Sequence, residues 1–167
     1  MSGEVARKIC MVGAFGVGKT SLVARFVHST FSDKYLTTVG VKVDTRVVPV
    51  HGDLAVKLVV WDIAGRDALD GLSLTYLRGA SALLLVADGT REATLDSALG
   101  LLMESRMLLP EAVAVLAVNK LDRVDGWEVL PQTLVELRKT LPVFETSALS
   151  GEGVEQAFTA IATRLVS

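Results

Sequence analysis

The chain has 167 residues, a formal net charge of −2, half of its residues hydrophobic and 22% charged. That length suits one domain, residues 1–167, with a full hydrophobic core, and that composition excludes a disordered chain. The near-neutral balance lends nothing to nucleic-acid binding, which calls for a basic face.

The first strand is predicted over 7–12, where Ile9-Cys10-Met11-Val12 is continuously apolar. Directly after it, Gly13-Ala14-Phe15-Gly16-Val17-Gly18-Lys19-Thr20 fits G-x-x-x-x-G-K-[ST]. Glycines let such a loop bend tightly and keep Cβ atoms away from a ligand. The loop amides and the free N–H groups of the helix that follows then form an anion cradle. Lys19 supplies a point charge for outer phosphates, and the Thr20 hydroxyl suits Mg²⁺. The helix runs roughly over 19–28, with Leu22, Val23, Phe26 and Val27 on one face. Residues 29–38 are rich in turn formers and read as a surface loop carrying Phe31, Tyr35, Thr37 and Thr38.

From Val39 the pattern turns to period 2: Val41, Val43, Thr45 and Val47 face one way, Lys42, Asp44 and Arg46 the other. This is a half-exposed strand at a sheet edge. His51-Gly52-Asp53 signals a hairpin, so 55–61 returns antiparallel to it and ends in Asp62-Ile63-Ala64-Gly65. Residues 66–78 read as a loop and a short irregular helix. Leu83 to Val86 is a buried strand, Leu95, Leu99, Leu102 and Met103 mark a helix ended near Pro110, and 113–118 is another buried strand closing on Asn119-Lys120-Leu121-Asp122. Leu130, Leu134, Leu137 and Leu141 have helical spacing, 143–145 is a last short strand before Thr146-Ser147-Ala148, and Val154, Ala157, Phe158, Ile161 and Leu165 share one face of the final helix.

Strands alternating with helices, most strands continuously apolar, give an α/β fold. It is a six-stranded, mostly parallel sheet with one antiparallel edge strand and helices on both faces. Crossovers between its parallel strands are right-handed. Ligands in such sheets bind outside the carboxyl ends of the strands, and every polar motif here follows a strand. Cys10 cannot form an intramolecular disulfide, which suits a reducing cytoplasm. Met1-Ser2-Gly3-Glu4 is neither a signal peptide nor a myristoylation site, no apolar run reaches membrane-spanning length, and the last residues hold no cysteine to prenylate. A cytoplasmic protein without its own membrane anchor is expected, peripheral to a membrane only through a partner.

Taken together, these motifs resemble the small GTPases of the Ras superfamily, Rab-type members above all, over nearly the whole chain from Arg7 to Val166. The resemblance implies a G-domain fold, GTP or GDP with Mg²⁺ as ligands, and a role for each matched residue. Gly13, Gly16, Val17, Gly18, Lys19, Thr20 and Ser21 would hold the phosphates. Thr38, in Tyr35-Leu36-Thr37-Thr38-Val39-Gly40, would ligate Mg²⁺ and sense the γ-phosphate. Phe31 would pack against the guanine edge and Tyr35 close over the phosphates. Asp62 would hold Mg²⁺ through water, beside Thr20 and Thr38, and the Gly65 amide would contact the γ-phosphate. Asn119 would brace the phosphate loop and the Lys120 stem cover the base. The Asp122 carboxylate would accept the ring N–H and amino group of guanine, a donor pair adenine lacks. Ser147, Ala148 and Leu149 would border the base, the Ala148 amide donating to the guanine carbonyl oxygen.

The sequence departs from the family pattern at three places. Arg66 stands where most members have the water-orienting Gln; a guanidinium has donors only and cannot accept a hydrogen bond from the attacking water, though it can donate to the γ-phosphate. Phe15 stands where a small residue usually faces the γ-phosphate, and it either crowds that space or packs under the second switch. Leu149 replaces a usual Lys. Among catalytic candidates, Lys19, Thr38, Gly65 and Arg66, hydrolysis is therefore expected to be slow. Three readings stay open: a GTP/GDP switch with slow hydrolysis, a GTP-binding interaction module that hardly turns over, and an ATP-dependent enzyme, against which Asp122 argues. The switch reading implies a monomer whose partners are an activating protein, an exchange factor and an effector, meeting it at the switch loops with Val39, Val41 and Trp61 as candidate contacts.

Overall fold

The computed structural model describes residues 3–28, 41–63 and 75–167. Among them, six strands form one sheet: β1 (Gly3–Val12), β2 (Val41–His51), β3 (Leu54–Ile63), β4 (Ala82–Asp88), β5 (Val113–Asn119) and β6 (Val143–Glu145). Their order is β2-β3-β1-β4-β5-β6. The hairpin pair β2–β3 is antiparallel, and every other pairing is parallel. Among the described residues, the sheet is covered by α1 (Lys19–His28), α2 (Glu92–Leu108), α3 (Pro131–Leu137) and α4 (Val154–Leu165).

Alternate residues of the central strands feed two cores. Ile9, Met11, Leu84 and Val115 pack with Leu22 and Phe26 of α1 and with Phe158 and Ile161 of α4. Cys10, Val12, Leu85 and Val118 pack with Leu95, Ala98 and Leu101 of α2 and Leu134 of α3. Covering both faces demands strands without a polar position, which is why β4 is buried throughout. Phe26 and Phe158 stack at 3.9 Å between ring centroids, fastening α1 to α4. Such a pair adds roughly 0.5–1.5 kcal/mol beyond the area it buries.

The register aligns the carboxyl ends of the strands. Met11 pairs with Asp62, Val12 with Leu85, Asp88 with Asn119 and Val118 with Glu145. The chain leaves β1 toward β2 and β3 on one side and continues to β4, β5 and β6 on the other. The carboxyl end of β1 is thus the switch point at which doubly wound sheets take their ligands.

Some local expectations shift. β1 begins at Gly3, because residues 3–6 pair with residues 54–57 although they form no apolar run. β2 extends to His51 for the same reason, on the far side of a register shift between Pro49 and His51. Its alternation holds, but the helix-covered side is the one that carries Asp44 and Arg46, together with the buried Val48. Val43 and Val47 are 46% and 43% exposed, while Arg46 donates to the Phe26 carbonyl at 2.7 Å, pairs with Glu155 and lies over the Phe26 ring. Met103 faces solvent on α2 at 74% exposure. Leu130 is the residue before α3, since Pro131 takes the first helical position, where its missing N–H costs nothing. Leu130 is exposed, and Leu141 packs against the second core from beyond the helix end.

Candidate functional site

The loop between β1 and α1 is built by close approach. A Cβ on Gly13 would sit 2.4 Å from the Val86 carbonyl oxygen, and one on Gly18 would sit 2.3 Å from the Asn119 side-chain nitrogen. Gly16 and Gly18 hold φ of +78° and +105°, backbone that an L side chain rarely adopts. Val17 and Ser21 are buried beneath the loop. Lys19 is 6% exposed, and its ammonium donates to the carbonyls of Gly13 (2.9 Å) and Ala14 (3.0 Å). Burial lowers its pKa from 10.5 to about 8, against the opposing pull of Asp62. Thr20 lies in the first turn of α1 and its hydroxyl donates to Asp62 Oδ2, near the end of β3, at 2.5 Å. Burial raises the Asp62 pKa, with the Thr20 hydroxyl and the Lys19 charge pulling it back down.

A second cluster closes on the first from β5 and β6. Asn119 Nδ2 donates to the Val17 carbonyl at 3.0 Å, and its Oδ1 accepts from Thr146 Oγ1 at 3.0 Å. Both side chains are buried, so each polar atom is satisfied within the fold. Lys120 has φ +73°, the one non-glycine residue in the left-handed region among those described. Its ammonium lies 3.0 Å from Asp88 Oδ2 at the end of β4. Burial alone would raise the Asp88 pKa, but bonds from Thr90, Lys120 and Arg91 hold it below the usual carboxylate range. Asp122 accepts from Ser147 Oγ at 2.7 Å, Ala148 is buried and Leu149 is half exposed.

The carboxyl end of the sheet therefore gathers a glycine cradle, a buried ammonium, a hydroxyl–carboxylate pair and a carboxylate beside a tight loop. This is what a ligand with a phosphate chain at one end and a donor-bearing ring at the other requires.

Residues 8–167 match the family model described as "Ras family". The chain belongs to the Ras family of small GTP-binding proteins. Within the family it is Rab-like. It is 35% identical over 165 residues to the GTP-binding protein ypt5 of Schizosaccharomyces pombe, covering 96% of this chain and 78% of that protein. It is 39% identical over 166 residues to the Ras-related protein Rab-26 of Bos taurus, covering 97% and 64%, and 38% identical over 154 residues to Rab-4B of Homo sapiens, covering 90% and 72%. The chain thus spans less than two thirds of the length of Rab-26. Its six-stranded mixed sheet is the G-domain fold of this family.

Five of the expected site residues of this family member, Phe31, Tyr35, Thr38, Gly65 and Arg66, lie outside the described residues, as do Thr37 and Val39. Of the candidate partner contacts, Val41 and Trp61 are half-buried, and Trp61 carries the Lys8 ammonium 3.8 Å above its ring and packs against Tyr76. Phe15 is 59% exposed at the rim of the phosphate loop, and its carbonyl accepts from Arg91 at 3.1 Å.

Sequence reasoning missed Asp88, Arg91, Thr146 and Arg25. Asp88 carried a usable signal: it closes an apolar strand, as Asp62 and Asn119 do. Arg25 carried none, because its partners are backbone carbonyls of a segment more than a hundred residues away.

Among the described residues, no helix is long and apolar enough to cross a membrane, and no group of three or more His, Cys, Asp or Glu side chains stands ready to hold a metal.

Proposed function

We propose that residues 1–167 act as a single G domain, a GTP/GDP-dependent switch that binds guanine nucleotide with Mg²⁺ and hydrolyses GTP slowly by itself. The observation that carries this reading is the direct bonding between subsites. Asn119 ties the base-side loop to Val17 of the phosphate loop, and Thr20 meets Asp62 beneath it. Asp122 selects guanine, the Ala148 amide donates to the base carbonyl, and the Lys120 stem covers the ring. Phe31 and Tyr35 close over the base and the phosphates.

The Thr20 hydroxyl and the Asp62 carboxylate are hard oxygen donors 2.5 Å apart. They suit an ion that keeps its waters and takes one carboxylate plus phosphate oxygens. Thr20, Thr38 and, through water, Asp62 would hold Mg²⁺, which would supply neutralisation of the phosphate charge. Lys19 exchanges its bonds to Gly13 and Ala14 for the outer phosphates. With the Gly65 amide it stabilises the charge that develops as water attacks the γ-phosphorus in line. Arg66 donates to the γ-phosphate without orienting the water. The protein works as a cytoplasmic monomer that meets activating, exchange and effector proteins at the segments around Thr38 and Gly65.

A second reading, a GTP-binding module with negligible turnover, is favoured by Phe15, whose exposed ring borders the phosphate loop. A single-turnover assay separates the two. GTP-loaded protein that releases phosphate over minutes to hours, and faster with cell lysate, is a switch. No release under either condition removes the enzyme assignment and leaves the module. Equal affinity for ATP and GDP in competition binding would remove the guanine assignment itself.

A further inference from the structure

Resting on the nucleotide reading above, we infer that Arg25 is a positioning residue for base recognition, acting through the backbone of the loop at 147–151. Arg25 sits on α1, outside every motif that resembles a nucleotide contact. Its Nε donates to the Ala148 carbonyl at 2.9 Å and its Nη2 to the Leu149 carbonyl at 2.6 Å. The guanidinium thus takes two successive carbonyls in one fork, a geometry a lysine cannot reproduce. Its methylene stem runs under the loop, where a Cβ on Gly151 would lie 3.5 Å from Arg25 Cδ.

The other bonds of the loop leave Arg25 a defined task. The Gly151 amide donates to the Ser147 carbonyl at 2.7 Å, and the Ser147 hydroxyl is split between Asp122 and the Ser150 amide. Because the peptide unit is planar and trans, the N–H of each residue points opposite to the carbonyl before it. The Gly151 bond therefore sets the direction of the Ala148 N–H. The Arg25 bond to the Ala148 carbonyl sets the direction of the Leu149 N–H. Neither amide donates to another group among the described residues. The Leu149 side chain is half exposed, so nothing on that side chain replaces the fork. Arg25 thereby holds one of two adjacent donors toward a single acceptor, the carbonyl oxygen of the bound base, and contributes to the choice of a 6-oxopurine.

The test compares Arg25→Met, which keeps the stem and removes the donors, with Arg25→Lys and the unaltered protein. Each is titrated, in competition with a fluorescent GDP, against GDP and against 2-aminopurine riboside diphosphate, which keeps the exocyclic amine but lacks the oxygen. Arg25→Met should weaken GDP about tenfold and the oxygen-free analogue less than threefold, with Arg25→Lys in between for GDP. Equal losses for the two ligands would make Arg25 a brace of the fold rather than a positioning residue and overturn the inference, as would no loss for either. Failure of the unaltered protein to bind GDP would instead overturn the nucleotide reading, and the role of Arg25 with it.

Discussion

At the scale of single residues, the slow hydrolysis proposed above turns on Phe15 and Arg66. Phe15 is 59% exposed at the rim of the phosphate loop, and a side chain with donors only, as at Arg66, cannot accept a hydrogen bond from an attacking water. Restoring both, as Arg66→Gln with Phe15→Gly, should raise the single-turnover rate of GTP hydrolysis by about tenfold or more. An unchanged rate in a quenched-flow assay would show that neither position limits the reaction. Cys10 illustrates the opposite case, a residue whose environment silences it. Burial pushes its thiol up from 9.0 to about 11, only partly offset by Lys8. A thiol reagent at pH 8 should leave Cys10 unmodified in the native protein and modify it on unfolding. The sign of the linkage follows: a group whose pKa is raised by folding stabilises fully below its unfolded value. The native state should therefore lose stability as pH climbs from 9.0 to about 11, and that slope should flatten in Cys10→Ala when urea midpoints are compared.

At the scale of elements, the edge strand β2 is held by its polar face. Arg46 meets the last turn of α1 through the Phe26 carbonyl and ring, and meets α4 through Glu155. The bond to the carbonyl and the contact over the ring are shielded by the helices, whereas Glu155 is 57% exposed. Arg46→Ala should cost roughly 1–2 kcal/mol in urea unfolding, and Glu155→Gln less than about 1 kcal/mol, because an exposed ion pair contributes little. Equal effects would show that the ion pair, not the helix end, holds the strand. The outward valines, Val43 and Val47, are left on the open face of the same strand.

At the scale of the molecule, the site joins elements that are distant in the chain. Asn119 connects β5 to the loop after β1, and Asp62 connects β3 to α1. A ligand that bridges these elements favours the folded state over the unfolded one. At a hundredfold excess over Kd, GDP with Mg²⁺ should add about 2.7 kcal/mol of stability. For a chain of this size that is a rise of roughly 5–10 °C in Tm. ATP at the same concentration should leave the melting curve unmoved, and a matching rise with ATP would contradict selection by Asp122.

The sheet, its edge strand, the glycine loop after β1 and the segments that follow β5 and β6 were legible in the sequence, because each rests on a local rule. Continuous apolar runs become covered strands, glycine spacing becomes a cradle, and a polar residue ends β4 and β5. Family membership was legible for the same reason, since its motifs are short and ordered. What only the tertiary structure decided was contact between segments without local pattern. The side of β2 that carries Asp44 and Arg46 turns inward because Val48 on the same side enters the core and the Phe26 carbonyl accepts from Arg46. Leu130 turns outward because Pro131 fixes where α3 starts. Arg25 reaches the carbonyls at 148 and 149 across 123 and 124 positions of sequence. A backbone carbonyl is present at every residue, so no choice of side chain announces which ones will be gripped; only folding brings the partner within hydrogen-bond range.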